Sequence, residues 1–171
     1  MNLGDYMEYL DLYDKNRILT GDIIVRTHDK TDIPNDRYIN IVLVFIKNND
    51  DKFLLQLTSK EKGSVIATTG GHVKSGQTSI EAILSEIEEE LGLKIDDKDI
   101  DYIGTYKRKF AFIDVYYLYE DINIVDITLQ KEEVESVKWY TIDEINDLII
   151  DNRLRKGNIF AFKMVLDYLN M

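Results

Sequence analysis

The chain has 171 residues, which at roughly 100–200 residues per domain reads as one domain with room for a sizeable core. Asp and Glu number 32 against 21 Lys and Arg, a formal net charge of −11, so the surface repels a phosphate backbone and general nucleic-acid binding is disfavoured. Cysteine is absent, which excludes disulfides, thiolate metal sites and a cysteine nucleophile, and fits a reducing compartment.

The first residues, MNLGDYMEYLDLYD, lack the basic start and continuous apolar core of a secretory signal. The most continuous apolar stretch, Ile41 to Ile46, is too short to cross a bilayer. A soluble cytoplasmic protein with no membrane partner is expected. Pro34 is the single proline, and no linker, repeat or low-complexity tract interrupts the chain.

Ile39 to Lys47 (INIVLVFIK) is rich in branched residues and shorter than an average helix, which predicts a buried strand. The polar turn Asn48-Asn49-Asp50-Asp51 leads to a second strand, Phe53 to Thr58, in a hairpin with a loop of about four residues. Val65 to Thr69 reads as a short strand ending at Gly70-Gly71. A helix is predicted from Thr78 to Leu91, because Ile80, Ile83, Leu84, Ile87 and Leu91 recur at spacings of three and four. Thr78 and Glu81 form a capping box, and Gly92 supplies a left-handed C-terminal cap. Strands Tyr102 to Tyr106, Phe112 to Tyr119 and Val134 to Tyr140 follow, then helices near Ile142 to Ile150 and from Ile159 to Leu169. Strands and helices interleave without regular alternation, which predicts an α/β chain with a mixed sheet rather than a doubly wound parallel one.

Glu86, Glu89 and Glu90 stand at i, i+3 and i+4 of the predicted helix and project from one side, while Glu81 and Glu88 point elsewhere. Like charges on one stripe weaken a helix unless something neutralises them. Taken alone, such a stripe is most often a solvated acidic face. A hard divalent cation would also satisfy it, because Mg²⁺ takes a few carboxylate oxygens, keeps several waters and binds substrate phosphates. The preceding segment favours the cation: Gly70-Gly71 closes a strand and Gly76 lies in the loop to the helix, where glycines let a backbone turn sharply and approach a ligand.

Gly70 to Leu93, GGHVKSGQTSIEAILSEIEEELGL, resembles the Nudix box. That pattern has Gly, five residues, Glu, seven residues, then Arg-Glu-hydrophobic-any-Glu-Glu-any-Gly-hydrophobic. Gly71, Glu86, Ile87, Glu89, Glu90, Gly92 and Leu93 stand in register. Gln77 replaces the first Glu, and Ser85 replaces the Arg that helps to orient the carboxylates in the family. Losing both removes one charge of each sign and strands no buried ion. Asp11-Leu12-Tyr13-Asp14, Arg17, Thr20-Gly21, Arg26 and Gly70-Gly71-His72-Val73 resemble the isopentenyl-diphosphate-isomerase-like subgroup. Glu133-Val134, Trp139 and Asp143-Glu144 resemble its closing strand and helix.

The resemblance implies a Nudix-type α/β/α sandwich over a single domain, 1–171, with an N-terminal arm of about 35 residues and a C-terminal helix. It implies Mg²⁺, with Mn²⁺ as an alternative, held by Glu86, Glu89 and Glu90. The implied activity is hydrolysis of the phosphoanhydride bond of a nucleoside diphosphate linked to another group. Glu86 and Glu89 are then candidate catalytic carboxylates, and Glu133 matches more loosely a loop carboxylate of some members; it reads equally well as a solvated residue entering a strand. Gly70 and Gly71, with Arg37, Lys107 and Arg108, are candidate substrate contacts. Lys60, Lys62 and Lys109 are further cations, although the run Lys107 to Lys109 also reads as a solvated turn. A homodimer is compatible with this reading.

Two other readings stay open: a nucleotide-binding sensor without turnover, and isopentenyl-diphosphate isomerase. The isomerase lacks its thiol here, and only His28 and His72 are available; Ile39 and Leu43 stand where related sequences can carry His. His72 reads as a structural hydrogen-bonder ahead of a metal ligand.

Overall fold

The structure is a computed structural model describing residues 7–27 and 32–171; His28 lies outside them. The N-terminal arm contains two strands that the sequence reading left unassigned. They are β1 (Glu8–Tyr13) and β2 (Leu19–Arg26), paired as an antiparallel hairpin. Leu10 and Leu12 of β1 are buried and Tyr9 is exposed, the alternation of a half-buried strand. There follow β3 (Ile39–Lys47), β4 (Phe53–Thr58), β5 (Ile66–Ala67), β6 (Thr69–His72), α1 (Ser79–Leu91), β7 (Ile100–Arg108), β8 (Ala111–Tyr119), β9 (Val134–Tyr140), α2 (Ile142–Ile150) and α3 (Lys156–Leu169).

β3 organises the sheet. It runs parallel to β8 along its whole length, and its other edge is shared, with Ile46 and Lys47 pairing with β4 and Ile41 to Val44 pairing with β6. β7 joins β8 and β9 joins β4, both antiparallel, so the sheet is mixed as expected. A strand covered on both faces reads as a nearly continuous apolar run, which in β3 only Asn40 and Lys47 interrupt. Its alternation sends Leu43 and Phe45 to one core and Val42, Val44 and Ile46 to the other. Ile145 and Leu148 of α2 and Phe162 and Val165 of α3 close the first core. Ala82, Ile83, Ile87 and Leu91 of α1 close the second, which completes three α/β/α layers. Each such Ile, Leu or Phe contributes about 1.5–3 kcal/mol on burial.

The boundaries of α1 are those of the sequence signals. Thr78 accepts from the Glu81 N–H, Glu81 accepts from the Thr78 N–H at 2.8 Å, and Gly92 takes φ 68°. Three other expectations need correction. Val65 to Thr69 is not one strand: Thr68 donates its N–H to Asn158 Oδ1 at 3.0 Å and its hydroxyl to the Val44 carbonyl, which bends the chain and separates β5 from β6. β7 extends beyond Tyr102 and Tyr106 at both ends, because a bulge between Tyr102 and Gly104 breaks the alternation that marks a strand. Lys107 and Arg108 are therefore strand residues and the turn is Lys109-Phe110. Finally, α3 begins at Lys156, its Gly157 and Asn158 being weak helix formers that mask the start. No helix among the described residues is long and apolar enough to cross a membrane.

Candidate active site

The loop between β6 and α1 is held from outside the sheet. Asp11 of β1 accepts from the Ser75 hydroxyl at 2.6 Å and from the Gly76 N–H at 3.1 Å, and the Ser75 N–H donates to the Tyr9 carbonyl at 2.7 Å. Within the loop, Gln77 Oε1 accepts from the Lys74 N–H at 3.1 Å. The residue that departs from the motif is thus a loop clamp. Beneath the start of α1, buried Asp114 of β8 accepts from the Ser79 hydroxyl at 2.6 Å and from Arg17 and Thr105. Asp11 and Arg17 of the arm therefore fix the loop and helix that carry the carboxylates.

The acidic stripe of α1 faces β6. Glu86 lies against Gly71 so closely that a Cβ there would overlap its carboxyl group. Glu90 is buried, 6% exposed, and accepts from Gln56 Nε2 at 3.0 Å. Glu89 is half-exposed and lies 3.8 Å from Lys74 Nζ, which is also 3.8 Å from Glu8. Glu133, before β9, pairs with Lys62 at 2.9 Å. All four glutamates line one cleft of about 520 Å³, floored by Ile39, Ile41, Leu43 and Ile113. Glu88 points away and pairs with Lys94 at 3.5 Å.

Burial, then repulsion from Glu89, pushes the Glu86 pKa up to about 7. Burial, then Glu86, pushes Glu90 up to about 8. Among the described residues no three acidic or histidine groups are already gathered into a metal cage; Glu86 rests on Gly71, Glu89 leans to Lys74 and Glu90 to Gln56. The donor set nevertheless fits a hard divalent cation, since flexible carboxylates on adjacent helical turns are driven together only by a positive charge between them.

A pH-dependent stability follows. The folded-state pKa values of Glu86 and Glu90 lie above the ordinary 4.5, so their contribution is favourable while they are protonated and is lost as pH rises through about 7 and about 8. Without metal, the melting temperature is expected to fall between about pH 4.5 and about pH 8 and to level off above that, and millimolar Mg²⁺ to restore several degrees at the upper end. Thermal scans of wild type and of the Glu86→Gln, Glu90→Gln double variant check this. Equal Mg²⁺ stabilisation in both would place the cation elsewhere.

The structure brings Gly70, Gly71, Arg108, Lys109 and Lys62 to the cleft. Arg37 is not brought there: it sits on the turn before β3 and donates to the Asp36 carbonyl at 3.2 Å. Lys107 is not either, because neighbouring strand residues point to opposite faces. Arg108 turns to the cleft, whereas the Lys107 ammonium sits 3.8 Å from the centre of the Tyr38 ring. Lys60 also stays outside. His72 lines the cleft, and its ring makes no hydrogen bond to a described residue. Burial, then Arg26, lowers its pKa to about 4, so the ring is neutral near pH 7.

Sequence reasoning missed Glu8, Gln56, Lys74 and Arg155 as cleft residues. Glu8 is buried and pairs with Arg26 at 2.8 Å. A polar residue inside an apolar strand run, as Gln56 is in FLLQLT, was the available signal.

The NUDIX domain family model matches residues 37–162. The chain belongs to the Nudix hydrolase family. An uncharacterized Nudix hydrolase of Listeria monocytogenes is 31% identical over 147 residues, covering 83% of this chain and 85% of the relative. A Mannheimia succiniciproducens NAD-capped RNA hydrolase is 32% identical over 83 residues, 48% of this chain and 30% of that protein. Among solved structures, a Deinococcus radiodurans protein superposes with a TM-score of 0.75 at 24% identity, covering 92% of this chain and 97% of that one. The NUDIX domain of Shewanella oneidensis NrtR, complexed with ADP ribose, has a TM-score of 0.63 at 14% identity, covering 77% and 88%. These two establish the shared fold. Nudix hydrolases are pyrophosphohydrolases that generally use divalent metal ions, and this chain is a Nudix enzyme.

Proposed function

We propose that this Nudix hydrolase cleaves the phosphoanhydride bond of a nucleoside diphosphate linked to another group, with Mg²⁺ or Mn²⁺ held by Glu86, Glu89 and Glu90. The observation that carries the reading is the convergence of these three glutamates and Glu133 on one cleft beside Gly70-Gly71. The ADP ribose bound by the NrtR domain and the NAD-capped RNA named for the Mannheimia succiniciproducens relative both contain a nucleotide-linked diphosphate, which supports that substrate class. The cation would neutralise the diphosphate and stabilise charge on the leaving oxygen. Gly71 admits the Glu86 carboxyl group to the cleft. Gln56 holds Glu90 by its amide, and Lys74 draws Glu89 inward. Glu86 or Glu89 accepts the proton of the attacking water, and Glu133, restrained by Lys62, is the reserve candidate for that role. A hydrolysis screen over nucleoside di- and triphosphates, nucleotide sugars and dinucleotides, with and without Mg²⁺, tests the proposal. Tight nucleotide binding without product would favour the sensor reading, for which Gln77 and Ser85 speak.

We assign the chain to the isopentenyl-diphosphate-isomerase-like branch, in which Asp11 and Arg17 serve as loop and helix supports, and we treat arm and core as one domain. Isomerisation itself is not expected. No thiol is present, and Ile39 and Leu43 face the cleft as aliphatic floor. Incubation with isopentenyl diphosphate and Mg²⁺ should yield no dimethylallyl diphosphate; metal-dependent conversion would reverse this assignment of activity.

A further inference from the structure

Among the described residues six Lys and Arg side chains line the cleft, and three of them are already neutralised by carboxylates of this chain. Arg26 pairs with Glu8, Lys62 with Glu133, and Lys74 with Glu8 and Glu89. Arg108, Lys109 and Arg155 form no ion pair among the described residues. Two of these bracket the first turn of α3. Arg155 immediately precedes the helix and contributes no side-chain cap to it. Arg108 reaches over from β7 so that its Nη1 lies 2.9 Å from where a Cβ of residue 157 would stand. Glycine at 157 therefore makes room for the guanidinium, and the Tyr106 hydroxyl, donating to the Gly157 carbonyl, fixes β7 on the same turn.

The electrostatics of the cleft require such groups. Glu8, Glu89 and Glu133 use up Arg26, Lys74 and Lys62, and a cation held by the α1 carboxylates would be matched largely by them, so the cationic charge left for a diphosphate is that of Arg108, Lys109 and Arg155. Arg155 is partly desolvated, which lowers its pKa, while Glu90 and Glu133 oppose the change. A guanidinium remains charged under these conditions and presents a planar fork that matches phosphate oxygens.

We propose that Arg155 and Arg108 form an anion clamp at the start of α3, receiving phosphate oxygens of the ligand. That the anion is a substrate phosphate rests on the hydrolase reading; that the clamp binds phosphate does not.

The test uses inorganic pyrophosphate and the metal-free full chain in calorimetric titrations at low salt, followed by steady-state kinetics on the best substrate. Arg155→Met and Arg108→Met should each weaken pyrophosphate binding by about tenfold, with Arg155→Lys intermediate. Lys94→Met, which alters an exposed cation outside the cleft, should leave binding unchanged. In turnover, Arg155→Met should raise KM by about tenfold and change kcat by less than about threefold. No pyrophosphate binding by wild type, or wild-type affinity in both Met variants, overturns the clamp. Weakened binding in these variants without hydrolysis of any substrate would uphold the clamp and refute the hydrolase reading instead.

Discussion

Replacing Glu89 by Gln is expected to lower turnover by at least ~10²-fold, about 2.7 kcal/mol of transition-state stabilisation, because it removes charge from the metal-binding wall. Glu90→Gln should match it. The amide still fits beside Gln56, so the melting temperature should hold while metal-dependent turnover is lost. Glu88→Gln is the internal comparison: it sits one position away, faces solvent and among the described residues pairs only with Lys94, and should stay within about twofold of wild type. Measured kcat for the three variants at saturating Mg²⁺ decides the matter. Equal losses at all three positions would mean that the helix, rather than its cleft-facing stripe, is what the substitutions disturb.

The two adjacent glycines of β6 are expected to fail in different ways. A Cβ at Gly70 would overlap the Val42 carbonyl oxygen, a backbone atom of the central strand, and the Leu43 side chain, and would press on the Leu43 Cα. Gly70→Ala should cost ~3 kcal/mol or more, a fall of roughly 6–12 °C in Tm. A Cβ at Gly71 would overlap only the Glu86 carboxyl group, the far end of a flexible side chain. Gly71→Ala should therefore fold, with Tm within about 3 °C of wild type, and lose turnover by ~10²-fold because Glu86 is driven out of place. Paired melting and activity measurements separate the two. A Gly71→Ala enzyme with full activity would remove Glu86 from the site.

Much of this arrangement is legible in the residues themselves, for reasons that are local. The capping box at Thr78, the cap at Gly92 and the i, i+3, i+4 glutamates all act within one helix, so their spacing alone places them. The branched run Ile41 to Ile46 of β3 is equally explicit, since a strand segment covered on both faces has no polar position to blur it. What escaped depends on contacts distant in sequence. The split at Thr68 is made by Asn158 and Val44, and nothing near residue 68 announces it. The basic run at 107–109 offers three equivalent cations until strand geometry turns Lys107 to one face and Arg108 to the other. Arg155 lies at the start of a helix whose Gly and Asn hide that start, and its relevance depends on the neighbouring cations being already paired. Gln77, read by motif as a lost acid, is given its role by a backbone N–H three residues earlier.

The attachment of the β1–β2 hairpin to the glycine loop separates where this enzyme's chemistry is located from where it is governed. Asp11 and Arg17 touch the loop and the helix seat but not the cleft lining, and residues 11 and 17 precede the 37–162 span by which the family is recognised. Two Nudix chains with the same residues over that span and different hairpins are thus different machines. A comparison of that span alone would score them as equivalent, while the seating of the loop, and with it the spacing of three carboxylates, depends on Asp11 and Arg17, in a hairpin that also presents Glu8 and Arg26 to the cleft.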